Sequence, residues 1–132
     1  MSLPVYLIDT HALYWYMTNN PRLPKRVQDI FDDAEAGRSS LLISHIVLAE
    51  LFYVLKKHKQ ADHFLGLVGR MQSSAAYRME PLAFEDVLEL PNFDDVPEMH
   101  DRLIAIQAKR LGAVVVTKDK ELQDCSQVRW LW

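Results

Sequence analysis

The run from Asp101 to Asp119, DRLIAIQAKRLGAVVVTKD, admits few folds. Leu103, Ile104, Ile106, Ala108 and Leu111 recur at helical spacing. Gly112 follows, the residue that most readily takes the left-handed backbone closing a helix. Ala113 to Val116 are then too few and too β-branched for a helix and apolar on both faces, as a central parallel strand requires. Helix, tight turn and buried strand make half of a βαβ crossover. A carboxylate stands at each end of it, Asp101 just inside the helix and Asp119 just past the strand. Ligands of open parallel sheets bind beyond the strand carboxyl ends, so the question is which other acids the chain delivers there.

Val5 to Ile8 form a short apolar run that stops at Asp9, consistent with a buried strand presenting a carboxylate. HALYWYM, residues 11–17, suits a buried helix ending at the turn signal Asn19, Asn20, Pro21. Pro24 opens an amphipathic segment with Val27, Ile30, Phe31 and Ala34 inward and Gly37 as its cap. Leu41 to Ile43 make a second strand, and Ser44 can cap the helix predicted over about 46–57. On that helix Glu50 lies three residues after Val47 and four before Val54, on the apolar side. An inward carboxylate is expensive unless it is paired, protonated or metal-bound.

Further along, the pattern predicts a helix over 61–72, a strand over 77–81 and a helix over 84–90. PNFDDVP, residues 91–97, has turn chemistry, with Asp94 and Asp95 read as solvated. Residues 120–125 suit a helical turn and 128–132 a last strand. Five short strands alternating with helices predict a three-layer α/β/α sandwich on a central parallel sheet. Without repeats, low-complexity tracts or Gly/Ser linkers, the 132 residues read as one domain.

A chain that is 49% hydrophobic and 25% charged is neither disordered nor fibrous. Its single cysteine, Cys125, allows no internal disulfide, which suits a reducing compartment. The N-terminus lacks a basic stretch followed by a long apolar one, and no apolar run approaches ~18 residues, so the expectation is a cytoplasmic protein without a membrane span. A net charge of −3 does not advertise nucleic-acid binding, so any such contact rests on local patches.

If Asp9, Glu50, Asp101 and Asp119 converge at the sheet edge, their repulsion needs neutralising. A hard divalent cation with oxygen ligands does that, and Mg²⁺ or Mn²⁺ suits an all-carboxylate site that keeps several waters. Such a site can activate water for in-line attack on a phosphodiester. Taken singly, each Asp is also a common turn former or helix cap, and Glu50 could sit on a rim. The histidines show no metal-ligand spacing: His45, His58 and His63 read as surface or helix-end residues, while His11 and His100 adjoin candidate acids. No phosphate loop, dinucleotide fingerprint or nucleophile elbow occurs.

LIDTHALYW, SHIVLAELFYVL and HDRLIAIQAKRLGAVVVTKDKEL, in this order, resemble the PIN domain, and within that superfamily the VapC-type toxin ribonucleases of bacterial toxin–antitoxin pairs. The resemblance implies that Asp9, Glu50, Asp101 and Asp119 form a metal-binding acidic cluster, with the Thr117 hydroxyl positioning a ligand or water. It implies that Ser44 touches the site while capping its helix. Where close relatives often have an Asp three residues before the third acid, this chain has Glu98, long enough to reach a water on the metal. It further implies a homodimer and an inhibiting antitoxin, with Tyr14, Trp15 and Tyr16 contributing to those surfaces.

The expected function is therefore a Mg²⁺- or Mn²⁺-dependent endoribonuclease acting as a toxin, with RNA as substrate. Lys56, Lys57, Lys59, Arg102, Lys118 and Lys120 are candidates for steering the RNA backbone. A PIN-fold binding module with a partner's arginine in its acidic pocket is the rival, but it gives no reason to keep four repelling acids. A phosphoacceptor receiver-like domain fits less well, because Asp9 is followed by Thr10 and His11 rather than a second acid.

Overall fold

The structure, a computed structural model, describes residues 4–132. Residues 1–3, part of the sequence reading of the N-terminus, lie outside them. Strands β1 (Val5–Ile8), β2 (Ser40–Ser44), β3 (Tyr77–Glu80), β4 (Val114–Val116) and β5 (Arg129–Leu131) pair in the order β3-β2-β1-β4-β5, every neighbour parallel. Parallel neighbours need crossovers, and crossovers are right-handed. The chain steps one way from β1 through β2 to β3, then returns across the sheet to β4 and β5. Helices α1 (Thr10–Met17), α2 (Lys25–Glu35), α3 (His45–Lys57) and α4 (Phe64–Gln72) therefore cover one face. The opposite face carries α5 (Phe84–Leu88), α6 (Met99–Leu111) and α7 (Lys120–Gln123). This is the expected sandwich, and its direction of winding reverses between β1 and β4, which opens a crevice beyond their carboxyl ends.

The strands are apolar because both faces are covered: Leu7, Ile8, Leu41, Ile43, Val115 and Val116 are almost wholly buried. Phe31 from α2, Leu51 from α3 and Ile104 from α6 close over them. α3 starts where the buried Ser44 hydroxyl accepts the Ile46 N–H at 3.1 Å, and α6 ends at Gly112 with φ +64°. Among the described residues no helix is long and apolar enough to cross a membrane.

Several boundaries differ from the sequence reading for reasons visible in side-chain bonding. α1 begins at Thr10 because the Asp9 carboxylate accepts the Thr10 N–H at 2.8 Å. α6 begins at Met99 because Glu98 caps it. The helix expected over 61–72 is a 3₁₀ turn, Ala61–His63, followed by α4, and Leu65 points outward. The loop expected over 91–97 overlaps a second 3₁₀ turn, Leu90–Asn92.

Arg102, read as a candidate for RNA steering, instead ties that loop down, donating to Val96 O at 2.6 Å and Leu90 O at 3.2 Å. Asp95 is exposed but pinned, accepting the Ser126 N–H at 3.1 Å. Tyr14 and Trp15 belong to the protein's own core, so α1 does not offer these rings to a partner as expected. The half-buried Tyr16 stacks on Phe31 with ring centroids 4.1 Å apart.

An ion pair between a buried carboxylate and a partly solvent-exposed guanidinium joins α5 to α6. Asp86, 1% exposed, takes two bonds from Arg110 at 2.6 and 2.9 Å and one from the Ala83 N–H at 3.0 Å. Removing the cation leaves the buried carboxylate with only its backbone donor, so Arg110→Ala is expected to lower the unfolding free energy by about 1–2 kcal/mol, measured by urea denaturation.

Candidate active site

β1 and β4 pair with Ile8 opposite Val116, so the next residues of each chain segment, Asp9 and Thr117, emerge side by side. The Asp9 N–H continues the ladder to Val116 O at 3.0 Å. The Thr117 hydroxyl donates to Asp9 Oδ2 at 2.6 Å and accepts the Asp119 N–H at 2.9 Å. One buried hydroxyl thus holds the side chain of one acid and the backbone of another. From α3, Glu50 Oε1 accepts the Thr10 hydroxyl at 2.9 Å, which ties a third acid to the end of β1. Asp101 enters from the first turn of α6. Asp101, Asp119 and Glu121 each offer a carboxylate oxygen, all within 4.8 Å of one another.

Asp9, Thr10, Glu50, Glu98, Asp101 and Asp119 line a cleft of about 820 Å³, with Thr117 behind its wall and Glu121 outside it. Burial pushes the Asp9 carboxyl above its ordinary range against the Thr117 and Thr10 hydrogen bonds, and the Asp119 charge adds to the rise. Burial likewise raises Glu50, opposed by the Thr10 hydroxyl and reinforced by the Asp9 charge. Asp101 is pushed up to about 8, first by burial and then by side-chain hydrogen bonding to Asp119 and the charges of Asp119, Asp9 and Glu98. Burial and mutual repulsion thus both oppose full ionisation of the cluster. Oxygen-only donors at this spacing, straining against their own charge, fit a hard divalent cation rather than a soft one.

The structure brings all four expected acids, Asp9, Glu50, Asp101 and Asp119, to one cleft. Thr117 positions two of them. Ser44 bonds the Ile46 N–H beneath the cleft and caps α3. Glu98 lines the mouth, but both its oxygens are engaged, Oε2 by the Asp101 N–H at 2.8 Å and Oε1 by His100 Nδ1 at 2.7 Å. Slight burial raises its carboxyl, yet the Asp101 and His100 N–H groups and the His100 ring outweigh this and hold it below the usual range.

Two residues escaped the sequence reading. Thr10 carries the only signal of a hydroxyl directly after the strand-end acid, and Glu121 that of an acid two positions past Asp119. His45, read as a helix-end surface residue, lines the cleft with His11, His100 and Lys57.

Residues 6–127 match the PIN domain family. The chain belongs to that family. The fold of this PIN domain is shared by solved VapBC structures at identities too low to show more than fold. VapBC2 from Rickettsia felis, bound to a promoter DNA fragment, superposes with a TM-score of 0.76 at 20% identity, covering 97% of this chain and 98% of that one. DNA-bound VapBC from Salmonella typhimurium gives 0.73 at 20% identity, covering 98% of each chain. VapC20 from Mycobacterium tuberculosis, described as a sarcin–ricin loop cleaving toxin, gives 0.67 at 12% identity, covering 95% of this chain and 98% of that one. A comparison with curated protein sequences gives no match.

Two predictions follow from this geometry. Asp101 keeps its proton to about 8 in the folded PIN domain but ionises near its ordinary 3.8 when unfolded, so between these values the folded state binds more protons. The metal-free protein should lose stability as pH rises across that window. Thermal melting should show the fall, Asp101→Asn should flatten it, and Mg²⁺ or Mn²⁺ should raise Tm most at the alkaline end. Thr117→Val leaves Asp9 Oδ2 without its donor and should cost about 1–2 kcal/mol, with weaker Mn²⁺ binding by calorimetry.

Proposed function

We propose that this PIN domain is a divalent-metal-dependent endoribonuclease acting as the toxin of a toxin–antitoxin pair. The observation that carries the reading is the meeting of Asp9, Glu50, Asp101 and Asp119 in one cleft, with the Asp101 carboxyl raised to about 8 by their proximity and burial. Asp101, Asp119 and Glu121 are the residues that would hold Mg²⁺ or Mn²⁺, with Asp9 beside them. A bound ion supplies Lewis acidity toward a phosphodiester oxygen and lowers the pKa of water. Asp9, locked by Thr117 and Thr10, keeps a fixed carboxylate at the end of β1. Glu50, which lines the cleft and is held by the Thr10 hydroxyl, is placed to take a proton from the attacking water. Lys57 and Lys118 offer cations to the RNA backbone.

The likeness to VapBC toxin–antitoxin complexes supports a protein antitoxin as partner, and that to the sarcin–ricin loop cleaving toxin supports RNA as substrate. In this reading residues 1–132 work as one cytoplasmic domain and pair as a homodimer.

The test is cleavage of a mixed cellular RNA pool by purified, antitoxin-free protein with Mn²⁺, with Mg²⁺ and with chelator. Cutting should require the metal and fall about a hundredfold or more in Asp101→Asn. No cutting by the folded protein at any metal concentration would leave a binding module whose acidic pocket takes a partner's cation.

A further inference from the structure

The cleft is larger than an acid centre needs. Beyond the carboxylates it runs along α3, where Ile46, Ala49, Tyr53, Val54 and Lys57 line it. Glu50, Tyr53 and Lys57 fall at i, i+3 and i+7, on one face of the helix. At 1.5 Å per residue, Tyr53 stands about 4.5 Å and Lys57 about 10.5 Å along the helix axis from Glu50. Acid, aromatic ring and cation follow one another along a single wall.

Tyr53 is 67% exposed, an unusual position for a ring that the fold could have used in its core. Its orientation is nonetheless held. Phe52 meets it at 5.3 Å with the rings 82° apart, and Phe52 in turn meets Phe64 at 5.4 Å and 77°. This edge-to-face chain steadies the tyrosine without covering it.

We propose that Tyr53 is a stacking platform for the base of the nucleotide next to the bond cut, with Lys57 meeting the phosphate beyond it. The proposal rests on the ribonuclease reading and names the form of RNA that the cleft takes, a single strand with its base unstacked. An RNA strand alternates phosphate, base and phosphate, the order in which the wall presents the acid centre, Tyr53 and Lys57. A basic protein segment bringing a cation to the acids would meet the like charge of Lys57 on the same wall of the cleft. Because every base has a π-face, the platform tolerates sequence and leaves RNA choice to other surfaces.

The experiment measures the affinity of cleavage-dead Asp101→Asn protein for a fluorescently labelled single-stranded RNA in Mg²⁺. Tyr53→Ala added to that background should raise Kd about tenfold, while Tyr53→Phe, which keeps the stacking face, should stay within about twofold. With an abasic nucleotide scanned along the strand, one position should abolish the difference between Tyr53→Ala and its parent. Leu65→Ala, at an equally exposed apolar residue on α4 outside the cleft, should bind as the parent does. Unchanged affinity in Tyr53→Ala would overturn the platform, and wild-type cleavage of the RNA pool would then still uphold the ribonuclease reading. If the wild-type protein neither binds nor cuts RNA, both fall. If Tyr53→Ala weakens binding of an antitoxin peptide and leaves RNA affinity untouched, the ring belongs to a protein interface and the proposal is wrong.

Discussion

The pairing of β1 with β4 is the constraint on which the site depends. Ile8 lies opposite Val116, and that register alone sets Asp9 beside Thr117. A slip of one residue would turn the side chains of either strand to the other face of the sheet. The register is held by close packing on both faces of the sheet, where any slip would set Leu7, Val115 and their neighbours against helix side chains that fit other partners. Apolar packing therefore holds carboxylates closer together than their charges would choose.

Much of this was legible because it is local. A short apolar run ending in Asp9, a Ser44 cap, and Gly112 closing a helix before a valine strand are each written within a few residues. The order of such pieces also carried the sheet and the four acids. What escaped was bonding between distant segments. The Thr10 hydroxyl reaches Glu50 forty positions away, and nothing in the neighbours of either residue announces the contact. Arg102 looks like any surface cation until the carbonyls of Leu90 and Val96 are in place around its guanidinium. Glu121 sits on a short exposed helix, where an acid is ordinary, and only the approach of α6 gives it Asp101 as a neighbour. The resemblance assigned Tyr14 and Trp15 to a partner surface, but α1 packs against α3 and α2 and takes both rings into the core.

Net charge proved a poor guide to the cleft. The whole chain carries −3, yet His11, His45, His100 and Lys57 ring the acids. A lysine and imidazole hydrogen-bonding groups beside an acidic floor can meet an anion while the carboxylates remain free to hold a metal. Composition averages these two fields into a small number that describes neither.

The acids that line this cleft include Asp9, Glu50, Asp101 and Asp119, so the chain brings the end of its first strand and the end of its fourth to a single point. During synthesis Asp9 emerges early and waits. Until Thr117 and Asp119 have left the ribosome and β4 has docked beside β1, Asp9 lacks its hydroxyl donor and Asp101 lacks its neighbour. A chain that stops short of Thr117 therefore has its earlier acids without the hydrogen bonds and neighbours that fix the cluster.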